Sequence, residues 1–146
     1  MLYKKQVKSI QKIKIPVPKI TSHFFHYKGI LKLMSALHNK KCIPCRGGVM
    51  PFDISEIHKY LKKIDGWDVK KNESESFFIE KSFEFKNFSE SQKFINEVGN
   101  NAEIEGHHPD IAFGWGYAKI KIFTHKIKGL VESDFILAAK IDKINL

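Results

Sequence analysis

From Tyr117 to Thr124 the side chains alternate, with Tyr117, Lys119, Lys121 and Phe123 on one side and Ala118, Ile120, Ile122 and Thr124 on the other. Successive side chains of an extended chain project to opposite faces, so this period of two predicts a strand with one face in a core. Upstream, Gly114 and Gly116 flank Trp115 and mark a turn or bulge. The stretch from Asp110 therefore predicts either a second strand pair or one long bent strand. An earlier stretch, WDVKKNESESFFIEKSFEFK at 67–86, has the polar run Asn72–Glu75 between two strand-like segments and predicts a hairpin. Phe78, Glu80, Ser82 and Glu84 share one of its faces. Phe77, Ile79, Phe83 and Phe85 lean to the other, with a slip in the alternation around Lys81.

Between and around these strands the period changes to that of a helix. In PFDISEIHKYLKKIDGW, Ile54, Ile57, Leu61 and Ile64 form an apolar stripe. Asp53 and Glu56 have the spacing of a capping box, and Asp65-Gly66 ends the helix. In NFSESQKFINEVGNNAEIEG, Ser89 and Gln92 suggest a second capping box, and Phe94, Ile95, Val98 and Ala102 the buried stripe. Gly99 weakens that helix but would permit a close approach to the sheet, and Gly106 is a good terminator. SDFILAAKIDKI predicts a third helix. The order α-β-β-α-β-β-α implies an α+β fold, a four-stranded antiparallel sheet with three helices packed on one face.

The formal net charge of +9 suggests a nucleic-acid binder until it is mapped. Residues 1–52 hold 11 basic residues and no acid, whereas residues 53–146 hold 14 basic and 16 acidic. The excess thus belongs to the first third of the chain, which argues against nucleic acid as the partner of the folded domain. Three parts follow: a basic leader at 1–33, either disordered or a targeting segment; an arm at 34–52 containing Cys42 and Cys45; and the domain at 53–146. No apolar run is long enough for a membrane span. The expected location is the cytoplasm, with mitochondrial or plastid targeting by residues 1–33 as the alternative.

The candidate chemistry lies in EIEGHHPDIAFGW at 103–115. Histidine titrates near neutrality and is the commonest general acid or base. His107 and His108 follow Gly106, and Pro109 biases His108 toward extended geometry. Adjacent extended residues point to opposite sides, so both rings need not enter one pocket. His125 stands at a strand end beside Thr124, whose hydroxyl can donate or accept. Taken singly, each is more often an ordinary loop histidine; a shared pocket depends on the strand running beside the segment after Pro109.

The pattern Glu103, His107, His108, Pro109, Trp115, His125, Asp134 resembles the signature of the pterin-4a-carbinolamine dehydratases, and KKCIPCRGGV resembles the front of plant-type members. The likeness covers roughly 34–146. It implies the same sheet-and-helix fold and the removal of water from a 4a-hydroxytetrahydropterin, without metal or organic cofactor. It further implies His107, His108 and His125 as catalytic residues and Glu103, Pro109, Trp115 and Thr124 as substrate-binding. Homodimers or homotetramers are implied too. Asp134 is expected as an anion at a helix N-terminus rather than a catalyst. Val131 stands where the family places Ser or Thr, so no box between Asp134 and the cap is expected. The alternative function is that of an interaction protein, a dimerisation cofactor of a transcription factor. Cys42-Ile43-Pro44-Cys45 admits a redox or zinc role, yet Arg46-Gly47-Gly48 breaks the helix that would activate the thiol. No second ligand pair completes a zinc site unless the three histidines are borrowed.

Overall fold

In the computed structural model the described residues are 37–43 and 49–145. The leader at 1–33, Met34, Cys45 and Arg46 lie outside them. A short 3-10 turn at Leu37–Asn39 precedes α1 (Ile54–Leu61), β1 (Asp68–Lys71), β2 (Phe77–Glu84), α2 (Phe88–Glu105), β3 (Asp110–Gly114), β4 (Tyr117–Ile122) and α3 (Glu132–Ile141). The strands form one antiparallel sheet in the order β1-β2-β4-β3. This is the α+β architecture expected, with two hairpins whose second strands meet at the centre.

Register explains which face is buried. Ile79 pairs with both Val69 and Ile122, and Ile120 with Ile111. Ile79, Ala118, Ile120 and Ile122 are fully buried in one cluster with Ile57, Phe94, Val98, Ala102, Phe135 and Leu137 from the three helices. The opposite face carries Glu80 between Lys70 (2.5 Å) and Lys119 (3.1 Å), a charged surface suited to water. Segment 110–122 is a hairpin rather than one bent strand. Its two-residue turn is Trp115-Gly116, where Gly116 has φ +75° and Gly114 leaves no room for a Cβ beside the Tyr117 ring.

Several local expectations change. No slip occurs at Lys81: β2 is continuous, and Lys81 stays on the face of Ile79 and Phe83. Its ammonium meets Asp142 at 2.7 Å, and the same carboxylate accepts from the Trp67 indole and the Asp65 amide. A paired cation is tolerated where an unpaired one would not be. The cap of α2 is Asn87, whose Oδ1 accepts from the Glu90 amide at 2.9 Å, while Glu90 returns to the Lys86 amide. The helix thus starts before Ser89. Ser91, one turn in, donates its buried hydroxyl to the Gly114 carbonyl at 2.8 Å. Asp53 caps α1 as expected, accepting from Glu56, but Ile54 at the first helical position is 46% exposed and outside the core.

Gly99 makes no close approach: a Cβ built there meets nothing within 4 Å. The residue carries the backbone-entropy cost of glycine without a steric reason for it. Gly99→Ala is expected to stabilise the fold by about 1 kcal/mol, measured by urea denaturation. A destabilised variant would show that the helix needs glycine at that position.

Candidate active site

α2 ends in a paired set of hydrogen bonds. The His107 amide donates to the Ala102 carbonyl (3.1 Å) and the Gly106 amide to the Glu103 carbonyl (3.2 Å). Gly106 is left-handed at φ +60°. This is the Schellman arrangement, and it turns the chain sharply so that His107 leaves the helix axis. The His107 ring then points inward. Its Nε2 lies 2.8 Å from Oδ1 of Asp134, a wholly buried carboxylate in the first turn of α3. Asp134 also accepts from the Thr124 hydroxyl (3.1 and 3.2 Å) and, through Oδ2, from the Val131 amide at 2.7 Å. The capping contact that Val131 was expected to exclude is therefore half present. The half that needs an oxygen on residue 131 is missing, and the half that needs only its N–H forms. With Nε2–H given to the carboxylate, Nδ1 is the ring nitrogen of His107 not engaged with Asp134.

His108 turns the other way. Its Nε2 lies 2.9 Å from Oε1 of Glu103, and both side chains are exposed. The two rings thus take different partners, Asp134 and Glu103, yet both border one opening. His125 sits past the end of β4 in the turn closed by the Thr124–Gly129 bridge, its ring 4.1 Å from that of Phe123. A cavity of about 340 Å³ joins His107, His108 and His125, with Thr124 and Phe123 also on its wall. Of the remaining sequence candidates, Glu103 reaches the site through His108, and Pro109 follows His108 without lining the cavity. Trp115 is not on the wall: it is 65% exposed in the β3–β4 turn.

The sequence profile described as pterin 4 alpha carbinolamine dehydratase matches residues 50–144. The chain belongs to that family. It is 48% identical over 111 residues to a Rubrobacter xylanophilus protein named as a pterin-4-alpha-carbinolamine dehydratase, covering 76% of this chain and all of that one. A relative of the same name from Alkaliphilus metalliredigens is 47% identical, over 75% of this chain and 96% of its own. A crystal structure described as a transcriptional coactivator/pterin dehydratase from Brucella melitensis superposes with a TM-score of 0.56. Its identity is 30%, over 62% of this chain and 94% of that one.

Ahead of the stretch that the pterin 4 alpha carbinolamine dehydratase profile covers, the arm also reaches the cavity, through Cys42 and Ile43. The Cys42 amide donates to Glu105 Oε2 at 2.7 Å, and Lys140 pairs with Glu105 Oε1 at 2.8 Å. Burial pushes the Glu105 carboxyl up, but the Lys140 ammonium and the Cys42 amide outweigh it and hold the group below the usual carboxylate value. Sequence reading missed Glu105, because its partners lie 63 and 35 residues away and nothing local marks it. It also ranked Asp134 as a helix-end anion only, although the motif spacing contained the signal.

The Cys42 thiol donates to the Ser133 carbonyl at 3.4 Å and is pushed up to about 12 by burial and then by the Glu105 charge. That is the reverse of an activated thiol. Among the described residues no cluster of three or more His, Cys, Asp or Glu is arranged to hold a metal ion. At pH 8 the thiolate fraction of Cys42 is about 10⁻⁴, so it should alkylate roughly a thousandfold more slowly than a free cysteine. Tandem mass spectrometry after iodoacetamide treatment of the folded protein measures this. Labelling at the rate of a free thiol would contradict the buried placement.

Proposed function

We propose that this hydro-lyase removes water from a 4a-hydroxytetrahydropterin to give the quinonoid dihydropterin, with His107, His108 and His125 carrying the protons. The observation behind this reading is that imidazoles from two separate segments border one cavity. In the reaction the C4a–O bond breaks and the hydroxyl, protonated by an acid, leaves as water. The adjacent ring nitrogen gives its proton to a base, and its electrons form the new carbon–nitrogen double bond. Only protons are transferred to or from the protein, so the elimination requires neither a redox cofactor nor a metal.

His107 suits the base. Asp134 on Nε2 fixes the tautomer and favours the imidazolium that forms when Nδ1 accepts a proton, the logic of a carboxylate-oriented histidine. His125 suits the acid: it is exposed and can be reprotonated from water. His108, held by Glu103 and set by Pro109, contacts the pterin or passes the proton on. Thr124, through Asp134, helps to orient His107. Trp115 stays apart from this set within one chain.

The same reading places the chain in the recycling of tetrahydropterin and in the cytoplasm, with residues 1–33 a leader for targeting or a disordered tail. It also implies a homodimer or homotetramer. An exposed edge strand, β3, with Ile111 and Phe113 38% and 37% exposed, supports self-association, since unpaired edges are templates for pairing. No helix among the described residues is long and apolar enough to cross a membrane.

His107→Ala and His125→Ala should each lower turnover of a 4a-hydroxytetrahydropterin by about 10²- to 10⁴-fold, the usual range for a lost general acid or base. Circular dichroism and native mass should not change. Wild-type turnover in both variants would reject the reading. A role as an interaction protein would be indifferent to these substitutions, so a partner captured equally by wild type and variants would favour that alternative.

A further inference from the structure

We infer that the arm residues Cys42 and Ile43 form a wall of the substrate site, with Ile43 the side chain that lies against the bound pterin and with Glu105 and Ser133 positioning it. This rests on the dehydratase reading and adds a binding element lying before residue 50, where the match to the family profile begins.

Three residues of the arm, Lys40, Cys42 and Ile43, are fastened to the body. Lys40 pairs with Glu132 at 2.7 Å, and the Cys42 amide donates to Glu105 at 2.7 Å. The Cys42 thiol donates to the Ser133 carbonyl. The Ile43 amide donates to the Ser133 hydroxyl (3.2 Å), which donates in turn to the Ile43 carbonyl (3.2 Å). Such a clamp fixes the backbone of Ile43 on both sides. Its side chain nevertheless stays 74% exposed and lines the cavity. An apolar side chain on a pinned backbone is a preorganised contact. Little backbone freedom is left to lose when a ligand arrives, and apolar surface is removed from water. Ile43 and Phe123 supply apolar lining while the histidines supply the polar groups, the combination a flat heterocycle requires.

The clamp is continuous with the acid–base set. Glu105 lies two residues before His107, and Ser133 immediately precedes Asp134. The helix ends that place His107 and its carboxylate are those that place Ile43. Loss of the clamp should therefore be felt in substrate binding before it is felt in chemistry.

The test pairs steady-state turnover of a 4a-hydroxytetrahydropterin with direct binding of 7,8-dihydrobiopterin by fluorescence. Ile43→Ala should raise both KM and the dihydropterin Kd about tenfold, the effect of losing most of one buried aliphatic side chain. Its kcat should change less than about threefold, as expected for contact made equally in ground and transition states. Ser133→Ala should shift both constants in the same direction, with Ser133→Thr restoring them. A merely structural serine would lower the melting temperature and leave KM alone. Unchanged KM and Kd in a folded Ile43→Ala protein would overturn the inference. Wild-type protein that binds dihydrobiopterin without turnover would sink the dehydratase reading, and the Kd series would still decide the wall. No binding at all would overturn both.

Discussion

The Asp134 carboxylate is the interaction on which the site depends. It is completely buried, and a buried carboxylate costs several kcal/mol unless its oxygens are satisfied. Three donors do so: the Val131 amide at the start of α3, the Thr124 hydroxyl beyond β4, and the His107 ring beyond α2. These come from three parts of the chain, so satisfying one charge joins the ends of two helices to the end of the second hairpin. His125 follows Thr124 directly and Ser133 precedes Asp134. The histidines and the arm clamp are therefore arranged around a single buried charge.

The scaffold was legible because its signals are periodic and local. The alternation from Tyr117 to Thr124, the polar turn at Asn72–Glu75 and the glycine at 106 each act within a few residues and lead directly to β4, the first hairpin and the end of α2. Where reading failed, the reasons were a nonlocal partner, a competing local cap and a contact that does not form. Lys81 looks like a break in the strand until Asp142 is brought beside it from the last helix. Ser89 looks like a cap until Asn87 is placed at the end of the extended segment. Gly99 looks like a contact point, but no element approaches it.

The site divides in the same way. His107, His108 and His125, which border the cavity, stand out by residue type and by the family pattern, because few side chains titrate near neutrality. Glu105 and Ser133 do not, because a glutamate at a helix end and a serine in a first turn are ordinary until the arm folds back over them. Trp115 differs: it belongs to the motif but lies in the β3–β4 turn, off the wall of the cavity of one chain.

The most direct test is a crystal structure of the protein soaked with 7,8-dihydrobiopterin. The bicyclic ring should lie in the cavity between His107 and His125, within hydrogen-bonding reach of at least one of these imidazoles, with the contact between His107 and Asp134 retained. A ring bound elsewhere, or Asp134 turned away from His107 when the cavity is filled, would contradict the account.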